Sequence, residues 1–343
     1  MRAVQVVRAA GVLALCAGIA TSCGKTHHST LVLQVVGKAD RQALDETGAV
    51  IRRRIDLLGI HDAKLRVGSR GRIVITTRRA LTSPQRRVLT KQGSLAFYDL
   101  EADLATVSTN GYLPRASNQL DRLLARARAE SNASGAGGFV LVDSRGRMVG
   151  GPAPRRALLA RKRGAKVLSV PAHTTVVSCT GSTSCPGARG EGTFYYLFQY
   201  YPGRAGDPIP ELTGRDLEPS SIEADVSSQG QGNVVLLGFR GEGNRKFREI
   251  TETEAARGQA LADGAGEGRS SVPSLVQRFA QHFAIVLDGE LESSPYIDYK
   301  QNPNGIDPSE TGVEISNIPS SSEAKDLAIL LRSGALQLRL VAR

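Results

Sequence analysis

Cys179 and Cys185 are separated by the small polar run Thr180-Gly181-Ser182-Thr183-Ser184. In an oxidising compartment this spacing reads as a local disulfide. A zinc site would need two further ligands, and His173 is the one nearby candidate, so no metal is assigned. His61, His173 and His282 could serve as bases for Ser270, Ser271 or Ser320 to Ser322, the chemistry of a hydrolase. The sequence has no Gly-x-Ser-x-Gly elbow, however, and these serines read as caps and loops while His282 precedes an apolar strand. Glu290 and Glu292 project from one side of a strand beside a turn, which is a solvated face more than an acid/base pair. No catalytic residue and no cofactor is assigned.

The first residues carry a different chemistry. Arg2 and Arg8 flank an apolar stretch from Ala9 to Ala20, followed by Thr21-Ser22-Cys23. A spanning helix needs about 20 apolar residues, so a cleaved signal fits this shorter run better. The end of the run resembles a bacterial lipobox, with Ala20 standing where a large aliphatic residue is usual. That resemblance implies lipidation of Cys23; the alternative is an ordinary signal peptide with an incidental cysteine. Lipidated, the chain would be extracytoplasmic and anchored to the cytoplasmic membrane. Residues 24–30, with His27 and His28, read as a solvated tether.

The formal charge of +11 over 343 residues would attract nucleic acid, anionic headgroups or acidic polypeptide. The basic residues are spread out with no interleaved aromatics, which argues against a nucleic-acid partner. At this length two or three domains are expected.

Residues 31–100 read in the order β-α-β-β-α-β. Leu31 to Val36 opens, and a helix from Gln42 to Leu58 carries Leu44, Ile51, Ile55 and Leu58 on one stripe with Gly59 as its stop. A hairpin around residues 65–77 follows, then a helix capped by Ser83 with Pro84 first, and a strand from Ser94 to Leu100. This order predicts a ferredoxin-like unit. Residues 101–203 read as an irregular insertion with strands near 139–142, 166–170 and 194–200 and a helix at 155–163. From 204 to 343 a second α+β unit is expected. Its long helix starts at Gly243, an Asp288-Gly289 turn follows an apolar strand, and Ser320 with Glu323 opens a helix closed by Gly334. The last strand, around Leu336 to Leu340, could return to the first unit.

Several of these pieces, in this order, resemble the SecD family. Val50 to Gly59, including Arg53 and Asp56, resembles a helix in the base of its first periplasmic domain. Tyr195-Tyr196-Leu197, the Leu212 to Leu217 segment with Thr213, Gly214 and Asp216, and Val235 to Phe239 resemble the head. Ala284 to Gly289, with Leu287 and Asp288, then Pro295, and the Glu323 to Leu336 segment with Ala324, Leu327 and Gly334, complete the resemblance. What it implies is an α+β fold of two ferredoxin-like subdomains, base and head, separated by the insertion, with these residues structural and not catalytic.

In function the resemblance implies a non-enzymatic accessory factor in Sec-dependent export, with SecF, SecY and unfolded exported polypeptides as partners. The alternative is a head-and-base module repurposed for another envelope partner. In SecD a membrane helix precedes the base, and Gly-Ala-Leu-Pro leads on to further membrane helices. Here Gln337 follows Leu336 and Arg343 is the last residue, so the proton-driven step is expected to be absent from this polypeptide.

Overall fold

The computed structural model describes residues 28–105, 116–130, 135–156, 159, 162–181, 185–227, 230 and 232–342. Cys23 and the signal-like stretch lie outside them, as does much of the helix expected at 155–163. The fold is mixed α and β, with several sheets and, among the described residues, eight α-helices.

The N-terminal layer begins with β1 (Ser29–Val35), whose alternation buries Leu31, Leu33 and Val35 and turns the intervening residues outward. Helix α1 (Arg41–Leu57) starts at Asp40, whose side chain accepts from the Ala43 N–H at 2.7 Å, and stops before Gly59 at φ 68°. The helix runs against β2 (Lys64–Gly68), where a Cβ on Gly48 would stand 2.7 Å from Val67. β3 (Arg72–Thr77) pairs with both strands and sets Ile73 opposite Leu33 and Ile75 opposite Leu31. α2 (Ser83–Thr90) is capped by Thr82 through a reciprocal box with Gln85, which places Ser83 and Pro84 inside the helix, one position later than expected.

The next strand, β4 (Leu95–Asp99), does not close this layer. It leaves for another sheet, and the vacant edge is taken by β17 (Leu340–Ala342), giving the antiparallel order β17-β1-β3-β2. The apolar content of the two strands explains the exchange. β4 carries Leu95 and Phe97, which bury in the largest core, and Tyr98, which packs against Phe198 in a second one, whereas β17 brings one buried side chain, Leu340, to the thinner layer.

Residues 101–203 are more regular than anticipated. After the short helix α3 (Leu100–Asp103), helix α4 (Leu120–Glu130) buries Leu120, Leu123, Leu124 and Ala127. Strands β5 (Ala136–Val142), β6 (Met148–Ala153) and β7 (Lys166–Pro171) form their own sheet, ordered β6-β5-β7. β8 (Thr174–Thr180) and β9 (Thr193–Gln199) pair in continuous register from Thr174 with Gln199 to Thr180 with Thr193. Both join a seven-stranded central sheet.

That sheet runs β10 (Leu212–Thr213), β4, β13 (Gln281–Leu287), β14 (Glu290–Ser293), β8, β9, with β15 (Tyr296–Ile297) beside β13. Beside it, β11 (Glu223–Val226), β12 (Asn233–Leu237) and β16 (Val313–Ile318) form a further sheet. Helix α5 (Gly241–Gly264) packs on the central sheet, joined by α6 (Pro273–Phe279) and the single turn α7 (Pro308–Thr311). Helix α8 (Ser321–Ser333) lies between the β11-β12-β16 sheet and helices α1 and α2. At the centre of the largest core Phe97 stacks on Phe283 at 5.6 Å, and Phe247 meets Phe283 edge-on at 4.9 Å. Each such ring contributes about 1.5–3 kcal/mol of burial.

Candidate functional site

Two places concentrate buried polar chemistry. The first is the junction of the N-terminal layer with the rest of the chain. On α1 the buried stripe includes Arg54, which is fully buried, while Arg53 and Asp56 point to solvent. The guanidinium is anchored on every nitrogen. Nε donates to Ser333 Oγ at 3.0 Å, Nη1 to the carbonyls of Val88 at 2.7 Å and Lys91 at 2.5 Å, and Nη2 to those of Gln92 at 3.1 Å and Gly334 at 3.0 Å. These acceptors sit at the C-terminal ends of α2 and α8, where unpaired carbonyls gather and a cation is favoured. Burial lowers Arg54 to about 10, against which nearby Asp288 pulls upward.

Asp288 fastens the same junction from the other side. With Gly289 it makes the two-residue turn between β13 and β14, both residues at positive φ (54° and 82°), as a tight hairpin requires. Its carboxylate accepts from the Gly93 N–H at 3.1 Å and the Ser94 N–H at 2.7 Å. Gly93 sits at φ 76°, and a Cβ there would come 2.9 Å from Arg54 Nη2 and 3.1 Å from Leu330. Of the residues singled out from the sequence, Asp288 and Gly334 therefore meet here, and Leu287 lies in the core next to them. The others are placed elsewhere. Asp216 accepts from the Thr213 N–H at 2.8 Å and closes the turn through Gly214. Ala324 and Leu327 pack α8 into the main core, Pro295 is exposed with its carbonyl accepting from the Phe283 N–H, and Gly59 ends α1. Cys179 and Cys185 are joined, with the sulfurs 2.02 Å apart.

The second place is a cavity of about 540 Å³ between α5, α3 and the 199–211 segment. Both oxygens of Asp99, at the end of β4, accept from the one nitrogen Nη2 of Arg257, at 2.6 and 2.7 Å, while the Arg257 Nε donates to Gln281 Oε1 at 3.0 Å. Burial pushes Asp99 up in pKa, and Arg257 opposes that rise. One turn on, Asp103 faces Glu211. Burial raises both carboxyls, and the charge of Asp103 beside it raises Glu211 further. Behind them on α5 lies Glu254, wholly buried, with neither oxygen bonded to a donor; burial raises it well above the usual carboxylate range. Next door Glu101 holds His282 through its Nδ1 at 2.7 Å and its N–H at 2.8 Å. Among the described residues no group of three His, Cys, Asp or Glu side chains is arranged to hold a metal ion.

None of Arg54, Gly93, Asp99, Asp103, Glu211, Arg257 or Ser333 was singled out from the sequence. For Arg54 a signal existed, since it stands three residues after Ile51 and four before Leu58 on the apolar stripe. The serines and histidines weighed for hydrolysis are dispersed: Ser320 caps α8 through the Glu323 N–H at 3.2 Å, and His173 stacks on Tyr201 at 4.8 Å. Glu290 is exposed at its turn, and Glu292 stands 3.9 Å from Lys91.

Residues 205–338 match the family model of the SecDF P1 head subdomain. The protein translocase subunit SecD of Acidaminococcus fermentans is 31% identical over 130 residues, 38% of this chain and 23% of that protein. That of Petrotoga mobilis is 31% identical over 136 residues, 40% of this chain and 22% of that protein. The chain thus matches less than a quarter of the length of these curated relatives. Among solved structures, SecDF in its super-membrane-facing form aligns over 91% of this chain and 29% of its own, at 18% identity and TM-score 0.48. A structure of the membrane component SecDF that enhances protein export aligns over 92% and 97%, at 17% identity and TM-score 0.46. Among the described residues no helix is long and apolar enough to cross a membrane.

Proposed function

From the SecDF P1 head subdomain at residues 205–338, we propose that this chain is a SecD-like, non-enzymatic accessory factor in Sec-dependent protein export. It binds or guides polypeptides on the outer face of the cytoplasmic membrane, anchored there by lipid on Cys23, and works beside the translocon components SecF and SecY. The head match is the observation that carries this reading, and the two curated relatives are named as protein translocase subunits SecD.

The N-terminal layer is the ferredoxin-like base, with β17 in place of β4. Its antiparallel order β17-β1-β3-β2, with α1 and α2 as its two helices, supports that assignment. The Arg54 and Asp288 contacts then form the base-to-head junction, which lets a load on the head be passed to an anchored base.

Crosslinking in living cells tests the reading. Val226, 66% exposed on the edge strand β11, is a suitable position for a photoreactive residue, as is Tyr296 at 45%. Adducts with translocon components and unfolded precursors are expected. Adducts with a single folded envelope protein instead would replace the export role with that of a repurposed scaffold.

A further inference from the structure

The positive charge of the chain is concentrated in the base. Residues 29–93 carry fourteen Lys or Arg against five Asp or Glu, a net +9, whereas residues 94–343 carry 27 against 28. Within the base that charge meets an open sheet face. One face of the β17-β1-β3-β2 sheet buries Leu31, Leu33, Ile73, Ile75 and Leu340 under α1 and α2. The alternate positions point the other way, and they set exposed cations among aliphatic side chains in rows across the strands. Arg66 stands opposite Val74, and Val74 opposite Val32. One row on, Arg72 stands opposite Gln34, and Gln34 opposite Val341, which is 44% exposed. Lys64 opens β2 and Arg339 directly precedes β17, both exposed. No outward position of these strands among the described residues carries an Asp or Glu. Among the same residues none of Lys64, Arg66, Arg72 and Arg339 forms an ion pair, whereas Arg41, Arg147 and Arg245 on other surfaces each hold a carboxylate.

We propose that this open face of the base docks on the anionic headgroups of a lipid bilayer, so that the sheet lies flat against the membrane surface. A face of one sign with aliphatic residues between its cations suits that surface. Headgroup phosphates accept from the guanidinium and ammonium N–H groups, while Val32, Val74 and Val341 meet the apolar boundary beneath them. Duplex nucleic acid offers the same anions but no apolar layer for the valines, and the face has no aromatic ring on which an unpaired base could stack. Reach favours the bilayer too. β1 begins at Ser29, six residues after Cys23, and six extended residues span at most about 20 Å. A lipid on Cys23 therefore holds the start of this sheet close to the membrane, where each cation that reaches the surface multiplies binding by about fivefold. The acyl chain fixes position and the face fixes orientation, so the Arg54 junction passes a load from the head to a base that cannot tumble on its tether. The chemistry of the face stands by itself; its placement beside a bilayer rests on the export reading.

Fluorescence of the full chain on vesicles tests the proposal. An environment-sensitive fluorescent amino acid placed at Val341 reports from the face, and one placed at Arg52 reports from the exposed side of α1. The vesicles are phosphatidylcholine alone, or phosphatidylcholine and phosphatidylglycerol in equal parts. A blue shift at position 341 on the anionic vesicles only is expected, reversed in 1 M salt, where the Debye length falls to about 3 Å. No shift on anionic vesicles overturns the proposal, as does an equal shift from position 52 or a shift with duplex DNA and none with vesicles. Arg66→Thr with Arg72→Thr, exposed positions in strands that threonine suits, should lower the ratio of docked to undocked face by about tenfold or more. Arg52→Gln with Arg53→Gln takes the same charge from α1 and should leave that ratio within about twofold; equal losses in the two pairs would assign the effect to net charge and sink the face. The first readout keeps every cation of the face, so the test stands even where a charge variant fails to fold. Feeding cells a fatty-acid probe separates the two attachments. A labelled chain without the shift keeps the anchor and removes the face, and a shift in an unlabelled chain keeps the face and removes the anchor.

Discussion

Arg54 and Gly334 lie 280 positions apart in the chain and are joined by a 3.0 Å hydrogen bond from Nη2 to the carbonyl oxygen. Through this bond and its four companions one side chain ties the ends of α2 and α8 to α1. Arg54→Ala removes a donor from each of five acceptors and leaves a cavity in a buried junction. A loss of about 3 kcal/mol or more is expected in urea unfolding. Arg54→Lys keeps the charge but has three donors in a different geometry, so it should recover less than half of the loss. A variant within about 0.5 kcal/mol of the native chain would show that the junction is not held by Arg54.

Asp288 offers a separate handle on the same place. Asp288→Ala deletes the acceptor of the Gly93 and Ser94 N–H groups and puts alanine at φ 54°. Together these should cost about 2–3 kcal/mol, whereas Asp288→Asn, which tolerates that φ and keeps one oxygen, should cost about half as much. The comparison of the two midpoints is the check: equal losses would mean that the carboxylate clamp, not the backbone strain of the turn, dominates.

The stripe of Leu44, Ile51, Ile55 and Leu58 and the Asp288-Gly289 turn were legible in the sequence because each is set by neighbours a few residues away. The return of the last strand to the first unit was also open to the sequence, but the departure of β4 was not, because the choice depends on a core that the strand does not encode alone. The same limit explains Arg54. Its position on the stripe set it apart from the exposed Arg53, but its five acceptors come from α2, α8 and the residues that follow them, so its role as a clamp was not readable locally. Asp99 with Asp103, Glu211 and Glu254 come from three separate segments of the chain, and only the tertiary fold brings them together.

Among the described residues, Arg257 is the guanidinium that bonds to these acids, at Asp99. Arg257→Ala would strand Asp99, 6% exposed, without its guanidinium partner. Breaking a buried pair from one side costs about 3–5 kcal/mol, while replacing both members with Asp99→Asn and Arg257→Met should cost less than the Arg257→Ala change alone. Thermal unfolding of the single and double variants measures this coupling, and strictly additive losses would argue that the pair contributes nothing of its own.

Anchoring can be read directly. With Cys23 lipidated, a fatty-acid probe fed to cells labels the chain, and Cys23→Ala abolishes both the label and the membrane fraction. An unlabelled native chain would leave Cys23 as an ordinary residue of a signal peptide.

The buried acids set the sign of the pH dependence. Carboxyls of the unfolded chain ionise near about 4, while Asp103, Glu211 and Glu254 in the folded protein hold their protons to higher pH. Across the window above pH 4 the folded state therefore binds more protons than the unfolded one, and stability falls as pH rises through it. Asp143, Glu242 and Asp307 are shifted down by their hydrogen bonds, so their stabilisation is lost only on acidification below that window. Urea midpoints should accordingly decline from pH 5 to pH 9. Glu254→Gln, which carries no charge to bury, should be more stable relative to the native chain at pH 9 than at pH 5, and Glu211→Gln should flatten the decline in the same sense. Parallel pH profiles for all three proteins would mean that these carboxyls have ordinary pKa values in the folded state and that the cavity is open to water.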